Sequence, residues 1–166
     1  MEEKIIMKTT MLKTLFTCLA LSICFTGYAL AGDSYGKQKV VYHINYDNPK
    51  AQAGALRNIQ NHINAVGAEN VEVRVVMHGK GLTLLLEPDA AGNTKLPVGN
   101  ANQEMQVKIS GLKQQGVAFK VCANTLKGKN IDYTTDLYDV GKNDIVPSGV
   151  AELAHLQGGG FTYIKP

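Results

Sequence analysis

The feature that most constrains this chain is a regular change of hydrophobic period. Short runs of β-branched apolar residues take turns with segments whose apolar residues recur every three or four positions. "KVVYHINYD" predicts a first strand over 39–46. In "PKAQAGALRNIQNHINAVG", Ala55, Ile59, Ile63 and Val66 share one helical face. Asn48 and Pro49 suit the start of that helix and Gly67 its end. "NVEVRVVMHG" alternates Val71, Val73 and Val75 with Glu72 and Arg74, the pattern of a second strand. Leu82 to Leu86 reads equally as a short helix or as another apolar segment, and 88–100 reads as a loop. Met105, Ile109 and Leu112 mark a second long helix that ends at Gly116. "VAFKVC" is a third strand, and "NTLKGKNIDYTTDLYD" a short irregular helix. "DIVPSG" is a short fourth strand, "VAELAHLQGG" a last helix with Val150, Leu153 and Ala154 inward, and "FTYIK" a final strand.

Strands that alternate with helices need crossover connections. The expected fold is therefore α/β: a flavodoxin-like, doubly wound, mainly parallel five-stranded sheet with helices on both faces. One domain over 32–166 is long enough to bury a core.

The residues before it have a different character. Lys8 and Lys13 precede an almost uncharged apolar stretch from Leu15 to Phe25, and Ala29-Leu30-Ala31 is a small-x-small cleavage site. Residues 1–31 thus read as a secretory signal peptide, with Met7 as an alternative start. Export to the periplasm without a stable membrane anchor after cleavage is the expectation. Cleavage also removes three lysines and two glutamates, so the net charge falls from +3 to +2. A charge that small gives no reason to expect nucleic acid as a partner.

Cys18 and Cys24 leave with the leader, and Cys122 remains without a disulfide partner. An odd cysteine in an oxidising compartment is a buried inert thiol, an intermolecular link or a reactive thiol. In open α/β sheets, ligands bind beyond the carboxyl ends of the strands. The residues that follow the expected strands are Asn45, then His78 and Gly79, then Cys122, Asn124 and Thr125, then Ser148 and Gly149. Cys122 falls where a helix should begin, a position that lowers a thiol pKa. His78 is either a partner for that thiol or a turn residue bonded to the loop backbone. His43 reads as a packed strand histidine satisfied by a neighbour, and His62 and His155 as solvated. No dinucleotide fingerprint, Walker spacing or zinc-ligand spacing occurs, so neither cofactor nor metal is expected.

Taken in order, "NHINAVG", "VRVVMHGKGLTLL", "GVAFKVCANTL" and "IVPSGVAELAHLQGGGFTYIKP" resemble the DsrE/DsrF-like family of small sulfur-relay proteins, and most closely its exported, uncharacterised members. The resemblance implies a flavodoxin-like fold and assembly into a homotrimer or homohexamer, and exposed aliphatic stretches such as Leu82 to Leu86, which a monomer of this length would not bury alone, are expected to support that assembly. It also implies a cysteine after the third strand that carries sulfane sulfur as a persulfide, a position that Cys122 matches. The partners would then be a sulfur donor and an acceptor thiol, and the protein a sulfurtransferase-like carrier. The other reading is a non-enzymatic module that binds a small anion or assembles, with Cys122 as a buried structural residue.

Overall fold

The computed structural model describes residues 35–166. The leader assigned to 1–31 lies outside the described residues. Five strands, β1 (Gln38–Ile44), β2 (Val71–Met77), β3 (Ala118–Cys122), β4 (Ile145–Val146) and β5 (Thr162–Ile164), form one sheet in the order β4-β3-β2-β1-β5. Every pairing is parallel. Four helices connect them: α1 (Pro49–Val66), α2 (Gln103–Gln114), α3 (Ala123–Lys129) and α4 (Gly149–Gly158). Two 3-10 turns, Gly79–Leu84 and Pro88–Asn93, lie between β2 and α2. Among the described residues no helix is long and apolar enough to cross a membrane.

The helix starts follow from capping chemistry. The Ala51 N–H donates to Asn48 Oδ1 at 2.9 Å, and Pro49 occupies the first turn, where its missing N–H costs nothing. Asn102 and Ser148 cap α2 and α4 in the same way. Alternation along the strands then divides the side chains between two faces. Val40, Tyr42 and Ile44 of β1, Val73, Val75 and Met77 of β2, and Phe119 and Val121 of β3 pack against Leu56, Ile59 and Ile63 of α1 and Met105, Ile109 and Leu112 of α2. On the opposite face Val41 and Val76 form a small cluster with Leu153 and Leu156 of α4, against which Phe161 packs.

That asymmetry corrects two expectations. Val150 is 64 % exposed and Ala154 is exposed, so neither points inward. Among the described residues a single helix covers this face, and its narrow Leu153–Leu156 stripe is the part that packs on the sheet. The Leu82–Leu86 stretch was expected to expose aliphatic surface. Instead Leu82, Leu84, Leu85 and Leu86 are fully buried. The 3-10 turn tucks them under the ends of the strands, where Leu85 accepts a hydrogen bond from the Tyr138 N–H and Leu86 bridges Leu137.

A buried polar knot fixes the same region. The Gln52 side-chain amide donates to Tyr46 O at 2.7 Å and Thr83 Oγ1 at 2.9 Å, while the Asn100 amide donates to Asp47 O at 2.9 Å and Gln52 Oε1 at 2.8 Å. Among the described residues no buried side-chain polar atom lacks a partner. The knot ties the β1–α1 loop to the turn after β2, so the carboxyl ends of these strands cannot drift apart.

Candidate functional site

The parallel register decides which face the rim residues share. Met77 pairs with Val121, so His78, just past β2, and Cys122, the last residue of β3, stand side by side at the strand ends. His43 pairs with Val76 and Val41 with Tyr163. Alternation therefore puts His43, His78, Cys122 and Tyr163 on the α4 face, away from the large core. The reversal of strand order lies between β1 and β5, and His43 and Tyr163 face each other across it.

Gly149, the first residue of α4, presses onto this group. A Cβ there would lie 2.9 Å from His78 Cβ and 3.3 Å from Cys122 Cβ. His78 and Cys122 are therefore at most 6.2 Å apart at Cβ. The residue must be glycine for the helix to come this close.

Cys122 is the N-cap of α3 and is 5 % exposed. Burial pushes its pKa up, but the Gly149 N–H, the Thr125 hydroxyl and N–H, and the Asn124 N–H all favour the thiolate. Together they win, and the thiol is more acidic than an ordinary cysteine. Thr125 Oγ1 accepts the Gly79 N–H at 2.9 Å, which leaves its proton free to point at the sulfur. One side chain thus joins the turn after β2 to the thiol. Of the residues expected from the strand ends, His78, Gly79, Asn124 and Thr125 gather around Cys122. Asn45 does not: it packs by its backbone against Gly81 and makes no side-chain hydrogen bond among the described residues.

His43 was expected to be packed and satisfied by a neighbour, and it is 7 % exposed with both ring nitrogens occupied. Its Nε2 lies 2.8 Å from His78 Nε2 and its Nδ1 lies 2.7 Å from Tyr163 Oη. The ring centroids of the two histidines are 4.8 Å apart. With nitrogens at 2.8 Å, that separation means the rings meet nearly head to head, sharing one proton, rather than stacking face to face. No spacing rule in the sequence marks this pair. His62 also departs from expectation. It is half-buried, accepts from Tyr42 Oη at Nδ1 (2.9 Å) and donates from Nε2 to Gln38 Oε1 (2.7 Å). Among the described residues no group of three or more ligating side chains could hold a metal ion.

Burial, then the neighbouring His78 and Lys165, lower the His43 pKa from 6.5 to about 4. Burial, then Lys165, lower that of His78. Both rings are neutral at neutral pH. Below pH 6.5 the unfolded chain takes up a proton that native His43 refuses until about pH 4. Stability therefore rises with pH across that window and is lost as pH falls, by up to about 3 kcal/mol. Urea unfolding between pH 4 and 7 is expected to show this slope, and His43→Asn to flatten it. A slope identical in the two proteins would rule the assignment out.

The fold and this rim define a class: single-domain α/β proteins that hold an acidified cysteine at the carboxyl end of the third strand of a parallel sheet. A profile of the DsrE/DsrF-like family matches residues 39–166, and the chain belongs to that family, which is linked to sulfur relay. Among solved structures it is similar to the protein of unknown function MTH1491 from Methanobacterium thermoautotrophicum, at 29 % identity over 78 % of this chain and all of that one, with a TM-score of 0.62. It also shares its fold with the ychN protein from E. coli, at 20 % identity over 78 % of this chain and 99 % of that one, with a TM-score of 0.55. No protein of curated function matches it.

Proposed function

We propose that the chain is an exported sulfur carrier in which Cys122 holds sulfane sulfur as a persulfide. The observation that carries this reading is the place of Cys122, the last residue of β3 and the N-cap of α3, packed against Gly149 beside His78. There the neighbouring N–H groups of Gly149, Asn124 and Thr125, with the Thr125 hydroxyl, favour the thiolate that must attack the sulfane sulfur. The thiolate attacks a sulfane sulfur of the donor, then yields the outer sulfur to a second thiol. At 5 % exposure the thiol suits a small donor such as inorganic polysulfide better than a protein persulfide. The same exposure favours the second reading, a binding or assembly module with an inert thiol. Intact mass spectrometry of the secreted protein after polysulfide treatment separates the two. The carrier reading expects a chain that begins at Gly32 and has gained one sulfur atom, reversed by reductant. No gain in the folded protein overturns it.

Assembly into a homotrimer or homohexamer is part of the proposal. The Leu82–Leu86 stretch no longer supports it, since those side chains are internal. Val150, 64 % exposed beside the site, supports it instead. Light scattering at micromolar concentration is expected to give three or six chains per particle, and a stable monomer would end that part of the proposal.

A further inference from the structure

The sulfur chemistry at Cys122 needs a proton to arrive and to leave, in a place that water barely reaches. We propose that Tyr163, His43 and His78 form a proton wire between solvent and the sulfur bound at Cys122. The role in sulfur transfer rests on the carrier reading above; the wire itself rests on geometry. Tyr163 is 40 % exposed, its hydroxyl lies 2.7 Å from His43 Nδ1, and His43 Nε2 lies 2.8 Å from His78 Nε2. Each contact is within hydrogen-bond range, and each connects two groups that can both give and accept a proton. His78 Nδ1 makes no hydrogen bond among the described residues, and the His78 side chain flanks Cys122 across Gly149. The line thus has a wet end, two relays and an unused end, and since Nδ1 makes no hydrogen bond to Cys122 Sγ, its proton goes to the sulfur of the bound donor or acceptor.

The hydrogen-bond rules allow two neutral states. In the first, Tyr163 donates to His43 Nδ1, His43 Nε2–H donates to His78 Nε2, and His78 carries its proton on Nδ1. In the second, every proton has moved one place: His78 Nε2–H donates to His43, His43 Nδ1–H donates to Tyr163, and His78 Nδ1 is bare. Because burial keeps both rings uncharged, a proton crosses by this tautomer exchange and no imidazolium is needed.

The two states match the two halves of sulfur transfer. With the hydrogen disulfide anion HS–S⁻ as the donor, Cys122 S⁻ attacks the unprotonated sulfane sulfur and becomes Cys–S–S⁻. The Cys–S bond forms, the donor S–S bond breaks, and the electron pair leaves on the terminal sulfur as hydrosulfide. The sulfur is already at the sulfane level, so no separate oxidant is required. His78 Nδ1–H gives the hydrosulfide its proton, the wire shifts to its second state, and Tyr163 regains a proton from water. When an acceptor thiol arrives, bare His78 Nδ1 takes its proton. The acceptor thiolate removes the outer sulfur, Cys122 leaves as thiolate, and the wire returns to the first state. Tyr163 and His43 act only through His78.

Two reagents test this without presuming that the natural donor is known. Iodoacetamide releases iodide, which takes no proton. Hydroxyethyl disulfide releases a thiolate of high pKa, which does. Tyr163→Phe removes one hydroxyl on an exposed edge strand and fills the same volume. It is expected to slow exchange of Cys122 with the disulfide about tenfold, and His78→Asn to slow it about a hundredfold, within the range of general acid catalysis. Alkylation by iodoacetamide should stay within about twofold, since a neutral wire leaves the thiolate fraction unchanged. The deficit should shrink with an aryl disulfide, whose leaving thiol is more acidic. Variants that slow both reactions equally would show that the cluster only shapes the site, and variants that slow neither would show that it does nothing for the thiol; either result overturns the wire. If the parent exchanges with disulfide but gains no sulfur from polysulfide, the carrier reading fails and the wire stands. A folded protein whose Cys122 reacts with no reagent defeats both.

Discussion

Cys122→Ser is expected to fold like the parent and to gain no sulfur from inorganic polysulfide, where the parent gains one atom per chain. The hydroxyl is close in shape to the thiol, and serine is a favoured residue at a helix N-cap, the position that Cys122 holds on α3. A stability change of about 1 kcal/mol is expected, visible in urea unfolding but small beside ordinary stabilities. The chemistry, by contrast, is lost outright. Attack on a sulfane sulfur needs an ionised, polarisable nucleophile, and a serine hydroxyl at neutral pH is neither. The donors that hold a thiolate at Cys122 cannot ionise an alcohol whose pKa lies many units higher. A gain that survives the substitution would place the sulfur on Cys18 or Cys24, and hence on a chain that keeps its leader.

The parts of this molecule that were legible in the sequence are those governed by local rules. Ala55, Ile59, Ile63 and Val66 repeat at helical spacing because α1 buries one face, and all four are in the core. Asn48 and Pro49 mark its start because capping is local. Val71, Val73 and Val75 alternate because β2 has two different faces. Cys122 could be placed at a strand end, and thus at a helix start, because the strand and the helix are adjacent in the chain. Periodicity failed where burial has no direction. Leu82 to Leu86 are enclosed on all sides, so nothing in their order says helix, strand or surface. It failed again on α4, where Val150 and Ala154 have the right spacing but no sheet beneath them. The histidine pair was invisible for a different reason. His43 and His78 are 35 residues apart and His43 and Tyr163 are 120 apart. Only the strand order and the register bring them together, and neither is a property of any single segment. Once β1 lies between β2 and β5, alternation alone assigns the four side chains to one face.

The fold itself depends most sharply on one small residue in the turn after β2. Gly81→Ala is expected to leave little folded protein at 37 °C. An added Cβ would lie 1.9 Å from the Ile44 carbonyl oxygen, 2.6 Å from its carbon and 3.0 Å from Asn45 Cα. All three are backbone atoms, so no side-chain rotation relieves the overlap. Ile44 cannot retreat, because β1 is paired on both sides, with β2 and β5. The turn cannot retreat either: Leu82 and Leu84 are fully buried, and Thr83 is held in the Gln52–Asn100 knot. The Gly81 N–H also donates to His78 O at 3.0 Å, so a displaced turn would drag His78 from the site. The stabilisation that alanine brings by restricting the unfolded chain is about 1 kcal/mol at most. Against it stands an overlap expected to cost more than about 4 kcal/mol, a large share of the stability of a domain this size. Gly79→Ala makes the comparison sharp. Gly79 has a φ of +55° with open space around its Cβ direction, so it should cost only about 1–2 kcal/mol of backbone strain. Circular-dichroism melts and urea midpoints of the two variants are expected to rank Gly79→Ala well above Gly81→Ala. The opposite ranking would mean that the turn moves away from β1 easily, and that the carboxyl-end rim is not held as tightly as these contacts require.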